Sequence, residues 1–463
     1  MKRLAEKNLK NWLQNQYRKP LIIRGARQVG KSTLVRNFAK SNDLSLVEIN
    51  LEKHFELDNI FKTLKIQNII REIEGLTGKS LGESNSIIFL DEIQATPHAF
   101  QALRYFYEEY PQLPVIAAGS LLEFVLAKHS FSMPVGRVDY LYLGPMTFEE
   151  FLLEYDKNLY EYVHNFEFQT EFPSTVHNRL LEKQREFLLI GGMPESVLRY
   201  IQTKQLLESV QVQQSIIDTY KDDFSKYVGR NQLIRLHRVF NSVPATVGNK
   251  VKYSNISKDD NSREIKLAID LLTKAGLMSP IYHSSCSGVP LDAQADFSKY
   301  KLLFLDIGLM NRVCGLDWLA INSMDERKLI NEGSIAEQFI GQHLLYLKDQ
   351  YETPKLFYWL REQKTSNAEV DYIISRGDTI LPVEVKSGKS GSLKSLLQFI
   401  LEKKSKLALR FDLNLPSIQD IQHKIQQGKQ AEEVQVKLIS LPLYLVGQVN
   451  RLIDGIREKE LDQ

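Results

Sequence analysis

The chain has 463 residues, of which 43% are apolar and 25% charged, with a formal net charge of +2. That length calls for about three domains, and the composition is that of a soluble globular protein. Near-neutral charge excludes a polybasic nucleic-acid coat and an acidic tail, so any binding by charge must be local.

Cys286 and Cys314 are the only cysteines and lack CxxC spacing. This argues against a disulfide framework or structural zinc and fits a reducing compartment. Residues 2 to 18 predict an amphipathic helix carrying Leu4, Leu9, Trp12 and Leu13. They lack the continuous apolar segment of a signal peptide. No run approaches membrane-spanning length, so the expectation is a cytoplasmic protein with no membrane partner.

Leu21 to Arg24 reads as a short buried strand, and the apolar spacing of Leu34, Val35 and Phe38 predicts a helix from Lys31 on. Between them, Gly25, Ala26, Arg27, Gln28, Val29, Gly30, Lys31 and Ser32 fit the P-loop pattern at every fixed position. Gly25 and Gly30 permit backbone angles that let successive N–H groups turn inward. The helix adds free N–H groups and the positive end of its dipole. Lys31 is expected to reach the outer phosphates of ATP and Ser32 to ligate Mg2+. Thr33 completes the candidate nucleotide-binding set.

A second strand is expected over Ser45 to Asn50 and a helical stretch from about Asn59 to Glu74. Ser86 to Asp91 is then a buried strand that ends in Asp91 and Glu92. A parallel strand delivers such acids to its carboxyl end, where open α/β sheets bind ligands. Asp91 is thereby expected to hold magnesium through water and Glu92 to orient and deprotonate an attacking water. The next buried strand, Pro114 to Gly119, leads to Ser120, which reads either as a γ-phosphate sensor or as the N-cap of a following helix. Asp139 to Leu143 is the expected fifth strand. Arg137 before it reads either as a group that stabilises charge on a neighbouring subunit's nucleotide or as a surface arginine.

The P-loop, the strand ending LDEIQ, the strand ending AAGS and the later VGRVDYLYLGPMTFEEF together resemble the AAA-type ATPases of bacteria and archaea. More narrowly, they resemble a family whose ATPase domain precedes a C-terminal domain of uncharacterised function. The resemblance covers nearly the whole chain. It implies that the helical stretch from Phe148 to about Tyr227, broken at Gly191-Gly-Met-Pro194, is a helical lid. Arg199 on the following helix is a candidate second sensor.

Leu233 to Thr246, Ile256 and Arg263 to Ala275 predict helix, turn and helix, followed by a strand from Gly276 to His283. The order suggests a winged helix, locally basic through Lys250, Lys252, Lys258, Arg263, Lys266 and Lys274. It reads as a DNA-binding element or as a spacer of the same fold.

Between Gly333 and Gly388 the order is helix, strand, strand, strand, helix. Glu337 lies on the first helix, Asp371 on the second strand, and Glu384 and Lys386 on one face of the third. This order resembles the PD-(D/E)xK nuclease fold, although Val370 stands where the motif has proline. Asp371 and Glu384 would hold a divalent cation, Lys386 would position water or stabilise charge, and Glu337 would complete the shell. Lys389, Lys394, Lys403, Lys404 and Lys406 add a basic field suited to a phosphate backbone. The competing reading is a half-exposed hairpin, or a degenerate nuclease-like domain that only binds.

The expected architecture is therefore α/β. A P-loop AAA-type parallel-sheet core spans 1–155, a helical lid 156–228, a winged-helix-like domain 229–300 and a restriction-endonuclease-like α/β domain 301–463. The expected function is Mg2+-dependent ATP hydrolysis coupled to DNA binding or processing. The alternative is a nucleotide-controlled protein- or DNA-binding switch with an inactive nuclease-like domain. A homo-oligomer is a candidate assembly.

Overall fold

The computed structural model describes residues 1–82, 85–119, 136–225, 228–315, 333–347, 350–363, 366–388, 393–427 and 430–461. The chain divides into two units. The first holds residues up to Met146, with Asp270–Leu277 and a short segment ending at Pro354, and the second holds the rest.

In the first unit, short apolar runs become strands. β1 (Leu21–Arg24), β2 (Ser45–Asn50), β3 (Ser86–Asp91), β4 (Val115–Gly119) and β5 (Asp139–Tyr142) form one sheet in the order β2-β3-β4-β1-β5. Every pairing is parallel. β3 and β4 are buried along their whole length, as strands covered on both faces must be. The described helices are α1 (Glu6–Gln14), α2 (Lys31–Ser41), α3 (Asp58–Phe61), α4 (Ile66–Thr77) and α5 (Pro97–Glu109). α2 buries Leu34, Val35 and Phe38, and α5, opened by Pro97, buries Phe100, Leu103 and Phe106. The helical stretch expected from about Asn59 to Glu74 is formed by α3 and α4, between which the chain turns left-handed at Leu64 (φ 56°). The edge of β5 is partly covered, since Tyr142 N donates to Gln350 O at 2.8 Å.

The second unit begins with α6 (Phe148–Tyr155), α7 (Lys157–His164), α8 (Ser174–Ile190), α9 (Pro194–Thr203) and α10 (Leu206–Phe224). α11 (Arg230–Ser242), α12 (Tyr253–Ile256) and α13 (Ser262–Lys274), whose end from Asp270 counts with the first unit, lead to β6 (Met278–Ser284) and β7 (Ala295–Phe304). Then come α14 (Ile307–Val313), α15 (Gly333–Leu344), β8 (Leu356–Gln363), β9 (Ser366–Arg376), β10 (Thr379–Val385), α16 (Lys394–Lys403) and β11 (Leu407–Asp412). β12 (Ser417–Gln427), β13 (Gln430–Pro442) and α17 (Val449–Leu461) close the chain.

The eight described strands of this unit form one sheet in the order β12-β13-β11-β10-β9-β8-β6-β7. β8, β9 and β10 are antiparallel neighbours, and β10 pairs parallel with β11. The boundary expected between residues 300 and 301 falls inside β7. β6 and β7 form an antiparallel ribbon, but β6 also pairs parallel with β8. Backbone hydrogen bonding thus carries the ribbon into the large sheet. α16 packs Leu396, Phe399 and Ile400 on that sheet, with Phe399 edge-on to Trp359 at 5.2 Å.

Buried polar side chains join helices to strands. The amide of Gln338 on α15 accepts from Phe304 N at 2.9 Å and donates to Phe304 O at 2.8 Å, continuing the ladder beyond β7. The break after α8 is fixed by the fully buried Asp306, whose carboxylate accepts from Gly192 N at 2.6 Å and from Leu309 N at 3.1 Å. A Cβ on Gly191 would lie 2.2 Å from the same carboxylate, so this position requires glycine.

His343 on α15 accepts from Phe148 N at 2.9 Å through Nε2 and donates from Nδ1 to Phe339 O at 2.7 Å. The Nε2 contact needs the neutral ring, since a protonated Nε2 cannot accept, and burial lowers the ring's pKa to about 4. The unfolded chain binds this proton below about pH 6.5 while the native state does not, so stability falls as pH drops from 7 towards 4. Linkage puts the loss at about 2 kcal/mol by pH 5. Denaturant midpoints at pH 7.5 and 5 should therefore fall further apart for the native chain than for His343→Gln, and equal pH dependence would contradict the assignment.

Candidate functional site

The parallel register of the first unit brings the two sequence motifs to one edge of the sheet. Arg24, the last residue of β1, is level with Gly119 at the end of β4, and Leu90 of β3 is level with Ala117. The glycine loop and the acid pair thus leave the sheet on the same side, flanking the end of β4.

The loop has the backbone that its glycines allow. Gly30 is left-handed (φ 92°) and caps α2, and Gln28 also takes positive φ (65°). A Cβ on Gly25 would lie 2.1 Å from Leu143 O, so the chain after β5 fixes where the loop begins. Ala26 and Val29 are buried, whereas Gln28 and Thr33 are exposed and Arg27 is half-buried. Arg3 helps hold the loop by donating to Val29 O at 2.8 Å and to Gly144 O at 2.8 Å.

Lys31 is buried and turned back into the loop, donating to Gly25 O at 3.1 Å and Ala26 O at 2.8 Å. Burial lowers its pKa to about 8, although the Glu92 and Asp91 carboxylates oppose that shift. Ser32 Oγ donates to Asp91 Oδ2 at 2.8 Å. Asp91 Oδ1 accepts from Glu92 N at 3.1 Å, and burial raises the Asp91 pKa. Glu92 ends the strand in a left-handed conformation (φ 52°), and Gln94 donates to its carboxylate at 2.5 Å. A hydroxyl and a carboxylate already in contact are a donor set that fits Mg2+, an oxygen-seeking ion usually bound through one or two carboxylates and phosphates.

Ser120 lies outside the described residues. Arg137 is at the amino end of β5, opposite the edge that carries the loop, because Asp139 is level with Leu21. It pairs with Glu108 at 3.1 Å, an exposed bridge that Glu108 shares with Arg104. Its register thus keeps it from the loop of its own sheet. Arg199 is exposed on α9 in the second unit.

The C-terminal carboxylates also come together. Tyr372 is level with Val383, which sets Asp371 on the rung beside Glu384. Asp371 Oδ2 accepts from Val385 N at 2.8 Å. Glu384 is buried and pairs with Lys386. Glu337 reaches the cluster from α15, which Tyr372 ties to the sheet by donating from its hydroxyl to Glu337 O at 2.8 Å. Burial, then repulsion from Asp371, raises the pKa of both Glu337 and Glu384, and burial raises that of Asp371. Among the described residues, no three acidic, histidine or cysteine side chains converge closely enough to hold a metal ion. Where a divalent ion is expected, lysines already meet the acids, Lys301 on Glu369 and Lys386 on Glu384. Of the expected basic field, Lys389 lies outside the described residues.

Sequence reasoning missed Lys301 and Glu369 in this cluster, as well as Arg3 and Gln94 in the first. Lys301 is buried on β7 and pairs with Glu369, with its Nζ 3.9 Å from Glu337 Oε2. A lysine opening the apolar run Leu302-Leu303-Phe304 was the available signal. Its acidic partners lie far along the chain.

Residues 17–152 match the family model described as an AAA domain. Residues 181–320 and 332–443 match two models described as domains of unknown function, DUF8612 and DUF4143. No curated protein matches the chain. Among solved structures, the chain is similar to PCH-2 of C. elegans at 12% identity and a TM-score of 0.26, over 44% of this chain and 60% of that one. No described helix is long and apolar enough to cross a membrane. The AAA-domain match and the loop geometry together support an AAA-type nucleotide-binding ATPase domain in the first part of the chain.

Proposed function

We propose that the chain binds and hydrolyses ATP with Mg2+ at the loop Gly25–Thr33, and that nucleotide state controls what the second unit binds. The contact that carries this reading is Ser32 Oγ to Asp91 Oδ2 at 2.8 Å, directly after the glycine loop. Bound Mg2+ would be held by Ser32 and, through water, by Asp91. It would neutralise phosphate charge in the transition state.

The chain's own groups supply the rest. Amides of the loop and of the first turn of α2 face the phosphates. Lys31 exchanges two carbonyl acceptors for phosphate oxygens, a gain in charge-assisted bonding that offsets its burial. Glu92 accepts the proton of the attacking water after Gln94 gives up or shifts its hold. Arg137 is assigned to a neighbouring subunit's nucleotide in an oligomer.

For the second unit we favour a nuclease-like fold that contacts DNA. Helix α15, three antiparallel strands, helix α16 and the parallel strand β11 follow in the order of that fold. Asp371 and Glu384 on neighbouring strands support the reading.

Lys31→Ala should abolish binding of a fluorescent ATP analogue, and unchanged affinity would remove the loop assignment. Glu92→Gln should keep binding while turnover falls by roughly two to four orders of magnitude. Near-normal turnover would exclude Glu92 as the base. Incubation with plasmid DNA, ATP and Mg2+ or Mn2+ separates the readings of the second unit. Nicking lost in Asp371→Ala indicates cleavage, salt-sensitive binding without nicking indicates a DNA-binding switch, and neither result removes DNA as the partner.

A further inference from the structure

The carboxylate cluster of the second unit already contains a cation supplied by the chain. Glu337, Glu369, Asp371 and Glu384 come from α15, β9 and β10, while Lys301 enters from β7. Its side chain is 2% exposed and its Nζ pairs with Glu369, 3.9 Å from Glu337 Oε2. Lys386 lies at the other end, on Glu384.

An ammonium so deeply buried loses its hydration, and the nearby carboxylates, with the Tyr358 ring 5.2 Å away, compensate for that loss. Here the compensation runs both ways. Glu337 Oε2 and Glu384 Oε2 are buried without a hydrogen-bond partner among the described residues, so the fields of Lys301 and Lys386 are what oppose their repulsion. Gly248 reinforces the enclosure, since a Cβ there would lie 2.7 Å from Glu337 Oε2.

A divalent ion in such a cluster would do two things: hold carboxylates from separate elements together, and cancel their charge. Lys301 does both from within the fold, and it is a point charge with three donors rather than an ion that exchanges with solvent. We propose that Lys301 is the resident counter-cation of this cluster and takes the place of a divalent metal there. The second unit then keeps its acid set assembled with no metal bound. The inference is independent of the ATPase reading. It goes beyond the DNA reading by making this unit a metal-independent binding element.

The test uses the full chain without nucleotide, titrated with MnCl2 and followed by the electron paramagnetic resonance signal of free Mn2+. The native chain should show no Mn2+ site that Asp371→Ala removes with a dissociation constant below about 1 mM. A tighter site lost in Asp371→Ala would overturn the proposal. Lys301→Met should create such a site, at least about tenfold tighter than in the native chain. It should also melt lower in EDTA and recover with Mn2+. Equal destabilisation with and without Mn2+ would reduce Lys301 to a packing role and also overturn the proposal. If Lys301→Met does not fold, the native titration against Asp371→Ala still decides.

Discussion

The contact between the Ser32 hydroxyl and the Asp91 carboxylate, 2.8 Å long, is the constraint on which the first unit turns. It joins the first turn of α2 to the end of β3 across two strands' width of a parallel sheet. The contact exists only because β4 separates β1 from β3 in the strand order. Asp91 is buried and Ser32 half-buried, so the contact lies at reduced effective dielectric, where an unmatched oxygen is costly and a matched one is rigid. Lys31 donates to the loop's own carbonyls, which braces the loop from within and keeps a cation at its centre.

The surroundings of the loop hold it from outside. Arg3 grips one of its carbonyls and one beyond β5, and the Leu143 carbonyl leaves Gly25 no room for a side chain. A loop confined on both flanks changes mainly through the rotamer of Lys31 and the two carbonyls it frees. This suits a site that must rearrange little on binding.

Much of this was legible in the sequence because the signals are local. Leu21 to Ser32 and Ser86 to Glu92 each carry strand, turn and chemistry within about a dozen residues, and α2 announces itself by apolar spacing. Asp371 and Glu384 could be placed on neighbouring strands by the same reasoning. What stayed hidden depends on partners distant in the chain. Nothing near Lys301 reveals that β7 lies at the edge of a sheet, or that acids from α15, β9 and β10 gather beside it. That residue 300 lies inside β7 and that this ribbon joins the large sheet stayed hidden for the same reason, since the β6–β8 pairing spans more than seventy residues. Arg3 reads as one more surface base until Val29 and Gly144 are folded against it. The helical stretch expected from about Asn59 to Glu74 is interrupted at one left-handed residue, Leu64, that propensity does not mark.

The second unit uses charge differently. In the first, a carboxylate and a hydroxyl meet directly beside the glycine loop. In the second, a lysine from the fold already meets the acids, and Lys386 stays on Glu384. The most direct test of the central claim is a crystal structure with Mg2+ and a non-hydrolysable ATP analogue. The account predicts the outer phosphates against the amides of residues 25–32, Lys31 drawn off the Gly25 and Ala26 carbonyls, and Mg2+ between Ser32 and Asp91. A loop unchanged at saturating ligand, with Lys31 still on those carbonyls, would contradict it.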